Sequence, residues 1–178
     1  GSDVVAMALS IWSGGPPYCL VFNNSEQSDL EAPDVLSTGV WTHVAFSLSG
    51  SVGKIFVNGQ PVATNNSMNL PRALIRTNNY VGLSNWPGDD QPPDAMIDDF
   101  AIWSRALSQS EITDRMGAAL TGHENGLVGC WDFNAGTAKD ITTNGHNGIL
   151  NSGATIKAQQ INITDGSWTL TNLPTLTN

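Results

Sequence analysis

Apolar residues recur along this chain in short runs separated by turns rich in glycine, proline and asparagine, a pattern that favours strands over helices. Strands are expected over 4–12, 18–23, 41–48, 54–57, 61–64, 79–83, 96–103 and 127–133. In WTHVAFSL, Val44, Phe46 and Leu48 fall on one face among polar neighbours, the two-residue period of a half-buried strand. VNGQPV at 57–62 sets Asn58-Gly59 between two strands. Both residues tolerate positive φ, so a tight hairpin is expected there. SGGPP and NWPGDDQPPD read as loops. One helix is credible: Ser108, followed three residues later by Glu111, forms a capping box that opens SQSEITDRM, placing a short helix near 108–116. The tail alternates enough for two more strands, at 154–163 and 167–173. Many strands and one short helix predict an all-β fold, a two-sheet antiparallel sandwich of the jelly-roll kind.

Composition supports that expectation and narrows the partners. Gly1-Ser2 reads as a cloning scar; the rest of the 178 residues suits one domain of ordinary size. A hydrophobic fraction of 40% excludes a disordered chain, and a charged fraction of only 13% disfavours long helices with charged faces. The net charge is −9 and the seven basic residues form no cluster, so neither nucleic acid nor a membrane is an expected partner. Cys19 and Cys130 lie in apolar strand-like runs, where a disulfide between neighbouring strands and two buried free thiols are both open.

Three segments then carry a resemblance. GVWTHVAFSLSGSVGKIFVNGQPVA (39–63), MIDDFAIWSRALSQSEI (96–112) and TGHENGLVGCWDFNAGTAKDITTNGHNGIL (121–150) resemble, in order, the laminin-G-like and pentraxin-like jelly rolls of the concanavalin-A-like superfamily. The resemblance implies a jelly-roll domain over 3–150, with 151–178 as strands or a tail packing on it. The family's opening motif is absent from the N-terminus and a version of it stands at 126–150, as though the chain starts inside a module or is permuted. The family's adjacent acids correspond to Asp98 and Asp99. Alternation places Asp98 with Phe100 and Ile102, pointing inward, where backbone amides, Arg105 or an ion would have to satisfy it. In related sandwiches a calcium sits near the equivalent strand, while in many others this Asp only ties a loop down.

The chemistry of catalysis is sparse. His43, His123 and His146 are scattered without zinc-site spacing, and no nucleophile elbow or phosphate loop occurs. Glucanases on this fold use a clustered E-x-D-x-x-E strand, which is missing, so no enzyme is expected. Glu31 and Asp34 in DLEAPD read as solvated loop charges. Of the six tryptophans, Trp41, Trp103 and Trp131 match structural positions of the family and Trp168 lies in the tail. Trp12 and Trp86 stand at loop boundaries, where an aromatic face either stacks on a sugar ring or folds back over a core edge. Trp86, Trp12, Asn85 and Asp89 are therefore the candidate carbohydrate contacts. Around them, Asp89, Asp90, Asp94 and Asp98 form an acidic cluster that is either a solvated loop or a calcium site, to which Asn85 or Gln91 could add neutral oxygens. Glycosylation sequons occur at Asn23, Asn65 and Asn162.

These features point to a non-catalytic extracellular or cell-surface recognition module from a larger multidomain protein. Its expected partners are a glycan or polysaccharide and its neighbouring domains, with calcium as the one candidate cofactor. The alternatives are a structural or adhesion module that binds protein, and an accessory domain of a secreted enzyme with no glycan binding of its own.

Overall fold

Every strand pairing among the described residues is antiparallel. The computed structural model describes residues 3–8, 15–24, 26–83, 95–151 and 153–157, and the backbone of 160–164 and 167–171. Its first sheet has the order β1 (Val4–Ala8), β2 (Tyr18–Asn23), β3 (Glu26–Glu31). The second has the order β4 (Val44–Ser49), β5 (Val52–Val57), β6 (Gln60–Asn65). β7 (Phe100–Trp103) leads into α1 (Gln109–Arg115), the helix among the described residues, and then pairs with β8 (Leu127–Trp131). β9 (Gln160–Thr164) and β10 (Ser167–Thr171) form a two-stranded ladder. The result is the expected β-sandwich with one short helix.

The core lies between the two three-stranded sheets. Cys19, Val21 and Leu30 from the first, with Ala32 just after it, meet Ile55 from the second and Met68 just beyond it, and Phe46, Leu48, Val57, Val62 and Ala63 close the edges. β2 is central in its sheet and buried on both faces through Tyr18, Cys19, Leu20 and Val21, which is why YCLVF reads as a continuous apolar run. Each fully buried aliphatic side chain here contributes roughly 1.5–3 kcal/mol by leaving water. Asparagines lace the sheets along the edge strand β3. Asn65 Nδ2 donates to Asp29 O at 2.8 Å and Asn69 Nδ2 to Glu26 O at 3.2 Å, while Ser28 Oγ accepts from Asn69 N at 2.7 Å. These side chains occupy groups that an open edge would offer to another chain. Two of the three sequons are thereby engaged, since Asn23 Nδ2 also donates, to Leu70 O at 2.9 Å.

Asn58 and Gly59 adopt φ of 48° and 75° and close the β5–β6 hairpin as expected. β2 keeps its expected limits, and Ser108 caps α1. Several expectations need correction: 41–43 and 154–157 are not strand, so β4 starts at Val44 and β9 only at Gln160. Residues 26–31 form β3, although EQSDLE carries a single large apolar residue: Leu30 alone is buried, and pairing with β2 supplies what the pattern lacks. Glu31 accordingly ends a strand and only Asp34 lies in the loop, both exposed. Residues 79–83 are not a strand; Tyr80 and Val81 are exposed and the segment bends at Gly82, whose φ is 76°. The strand expected from residue 96 begins only at Phe100, because Asp99 at φ 51° breaks the extended backbone. Asp98 therefore points outward, exposed, and its Oδ1 accepts from Asp99 N at 2.9 Å.

Cys19 and Cys130 are buried free thiols. Burial pushes the first up to about 12 and the second up to about 11, so both are protonated and unreactive at neutral pH.

Candidate functional site

Trp12, Asn85, Trp86, Asp89, Asp90, Gln91 and Asp94 lie outside the described residues, which leaves Asp98 as the described member of the expected calcium and sugar set. Next to it, burial raises the Asp99 carboxyl above its ordinary range, and the charges of Asp98 and Asp132 raise it further. Among the described residues, no group of three or more His, Cys, Asp or Glu side chains could hold a metal ion.

The described residues instead build a groove of about 500 Å³ between the outer face of the β4–β5–β6 sheet and the segment from Ala106 to Glu111. Its floor follows from strand alternation. With Phe46, Leu48 and Ile55 turned to the core, Ser47, Ser49, Val52 and Lys54 turn to the opposite face, where Phe56 lies buried at the base of the groove. Register puts Ser47 opposite Lys54, Ser49 opposite Val52, and Pro61 beside Phe56. The floor is thus a row of hydroxyls and one ammonium beside a small apolar platform.

The wall is rigid because its residues satisfy one another. Ser108 Oγ accepts from Glu111 N at 3.3 Å and Glu111 Oε2 accepts from Ser108 N at 2.8 Å, the capping box read from the sequence. Arg105 grips the same carboxylate with both terminal nitrogens, at 3.0 and 2.6 Å, and its Nε donates to Asn125 O at 3.2 Å. Such two-pronged charge-assisted bonds fix orientation as well as supplying energy. Gln109 Nε2 donates to Gln60 Oε1 at 3.1 Å, and Thr113 lies so close to Gly59 that a β-carbon there would sit 2.9 Å from its Oγ1. Arg115 stacks over Trp103 at 5.2 Å.

Arg105 first, and the Ser108 amide second, hold the Glu111 carboxyl down at about 2. This depressed value makes the pair's stabilisation complete above the unfolded glutamate value, about 4.3, and lost as pH falls toward the folded one. Carbon-detected NMR of the Glu111 carboxyl is expected to show that low midpoint, and Arg105→Gln should return it toward the ordinary range. An ordinary midpoint in the unmodified protein would contradict the geometry.

Behind this wall, β8 is pinned by Asp140, which is only 1% exposed. Its Oδ1 accepts from Cys130 N at 3.0 Å and Thr142 N at 2.9 Å; its Oδ2 accepts from Thr142 Oγ1 at 2.8 Å and His146 N at 2.9 Å. Those bonds outweigh the cost of burial and hold the carboxyl at about 2. Trp131, tilted against Phe100 at 5.5 Å, donates from Nε1 to His146 O at 2.9 Å, and so serves structure as expected. His43 is partly buried, which lowers its pKa and keeps it neutral at physiological pH, and its N–H and C=O bind Asn58.

Sequence reasoning missed Ser47, Ser49, Lys54, Pro61 and Gln109 as site residues. Two signals were available: the polar positions that alternate with Phe46 and Leu48, and an isolated lysine in a chain with only seven basic residues.

Two antiparallel sheets around one core, with a polar groove on an outer face, define a sandwich module of the lectin type of architecture. The chain belongs to the concanavalin A-like lectin/glucanases superfamily, whose laminin-G model matches residues 3–113. That span contains both three-stranded sheets and the groove; β8 and Asp140 lie beyond it. Among solved structures, an S-layer domain-containing protein from Clostridium thermocellum ATCC 27405 is similar, with 31% identity over 55% of this chain and 50% of that one, at a TM-score of 0.40. The chain thus spans about half the length of that structure. No curated protein matches it.

Proposed function

We propose that this chain is a non-catalytic, extracellular recognition module that binds carbohydrate in the groove beside β4–β5–β6. The observation that carries the reading is the composition of the groove: Ser47, Ser49, Ser108 and Gln109 supply hydroxyl and amide groups around Val52 and Pro61, with Phe56 buried at its base. A pyranose ring has the same two needs, polar partners for its hydroxyls and an apolar surface for its C–H face.

The state of Glu111 favours binding over hydrolysis. Glycoside cleavage takes two carboxyl groups, one of them kept protonated near neutral pH. Glu111 is the carboxylate among the groove's described lining, and it is ionised and committed to Arg105 and Ser108. On sequence grounds, Asp89, Asp90, Asp94 and Asp98 enter the same proposal as calcium ligands whose ordering presents Trp86 to a sugar ring.

A glycan array probed with the intact chain, with and without calcium, tests the reading. Binding to at least one glycan class is expected, with no new reducing ends after prolonged incubation. Silence across the array would overturn carbohydrate recognition, and released reducing sugar would overturn its non-catalytic character. A melting temperature that calcium leaves unmoved would remove the metal.

A further inference from the structure

Resting on the proposal that the groove takes a glycan, we propose that it selects one bearing a single carboxylate, with Lys54 as the counter-charge. Lys54 stands on β5, the central strand of its sheet, flanked by Ser47 on β4 and Thr64 on β6. It is exposed and belongs to no ion pair among the described residues, whereas Arg72 is paired with Asp3 and Arg105 with Glu111. The carboxylate on the facing wall cannot neutralise it, because Arg105 already holds both oxygens of Glu111.

The described lining of the groove therefore carries one uncompensated positive charge on a chain whose net charge is −9. At physiological ionic strength, charges beyond about 8 Å are largely screened, so a small ligand in the groove feels Lys54 more than the distant acids. A long polyanion would extend over the acidic surface and be repelled. The local and the overall charge are both met by a short glycan with one uronate- or sialate-type group. Its carboxylate would accept from the Lys54 ammonium and the Ser47 hydroxyl, while an adjoining ring lies over Val52 and Pro61.

Calorimetry on the intact chain distinguishes the outcomes. The probes are short oligosaccharides carrying one glucuronate, galacturonate or sialate, each paired with its carboxyl-reduced counterpart, together with heparin as a polyanion. At least one acid is expected to bind about tenfold tighter than its reduced partner at 0.15 M salt, as a charge-assisted contact worth that ratio implies. The advantage should shrink in 1 M salt, and Lys54→Gln should abolish it; because Lys54 is exposed, the variant's melting temperature verifies that it folds. Equal affinity for acid and reduced forms, discrimination that survives Lys54→Gln, or heparin as the tightest ligand would each overturn the proposal. Binding of glycans without such discrimination would sink this inference and leave the recognition reading intact; no binding to any glycan would sink both.

Discussion

Asp140→Ala is expected to cost about 3 kcal/mol of unfolding free energy, from the loss of a buried, charged acceptor and the stranding of its donors. The amides of Cys130, Thr142 and His146 all point at this one carboxylate, and removing it leaves them without that acceptor. The damage should concentrate on β8, because Cys130 lies within that strand and Ile141 N returns to Cys130 O at 2.9 Å. Asp140→Asn should fall between the two, since an amide oxygen still accepts but its NH2 faces donors. The pH dependence has a definite sign. The folded carboxyl is held at about 2, below its unfolded value, so its contribution is complete above about pH 4 and disappears as pH falls through the folded value. Urea unfolding across pH 2–7 measures both effects. A stability within about 0.5 kcal/mol of the parent, the range of ordinary surface changes, would show that the hydrogen-bonded hub does not hold β8.

The second large effect is expected at Gly122. Its φ is 84°, and a β-carbon there would lie 2.5 Å from Ile141 O and 3.0 Å from Ile141 C. Gly122→Ala therefore combines a left-handed penalty of about 1–2 kcal/mol with an overpacking cost of about 1–3 kcal/mol, because the obstacle is backbone. Gly39 provides the control: its φ is 76° but its surroundings are open, so Gly39→Ala should show the backbone penalty alone. Ile141 adjoins Asp140, and the displaced backbone is the loop that Asp140 secures. A double-mutant cycle between Gly122→Ala and Asp140→Ala should thus deviate from additivity by about 1 kcal/mol or more. Equal effects at Gly122 and Gly39 would refute the close approach.

The groove depends on a device that sequence spacing does reveal and a partner that it does not. Ser108 and Glu111 announce a helix start, because a capping box is satisfied within four residues. Arg105 as the clamp on Glu111 is six residues away, and the sequence reading offered that guanidinium to Asp98 instead. Asp99, at φ 51°, turns the chain before β7 and sends Asp98 outward, so strict alternation failed at this acidic pair. The proposed sugar contacts Trp12 and Trp86 fall outside the described residues, whereas Lys54 and its serines emerged only when β4 and β5 were set in register.

By itself, then, the order of residues determined what short-range physics controls: the Asn58-Gly59 turn, the capped helix, β2 as an apolar run, and an all-β composition poor in charge. Backbone sterics and local hydrogen bonds decide these within a few residues. Tertiary structure alone made EQSDLE a strand, because its partner β2 supplies the ladder that one buried leucine cannot specify. It also left NYVGL unpaired, for no strand among the described residues lies alongside to take up its amides. The groove belongs to the same level, since its floor and its wall come from segments some fifty residues apart that only packing brings together.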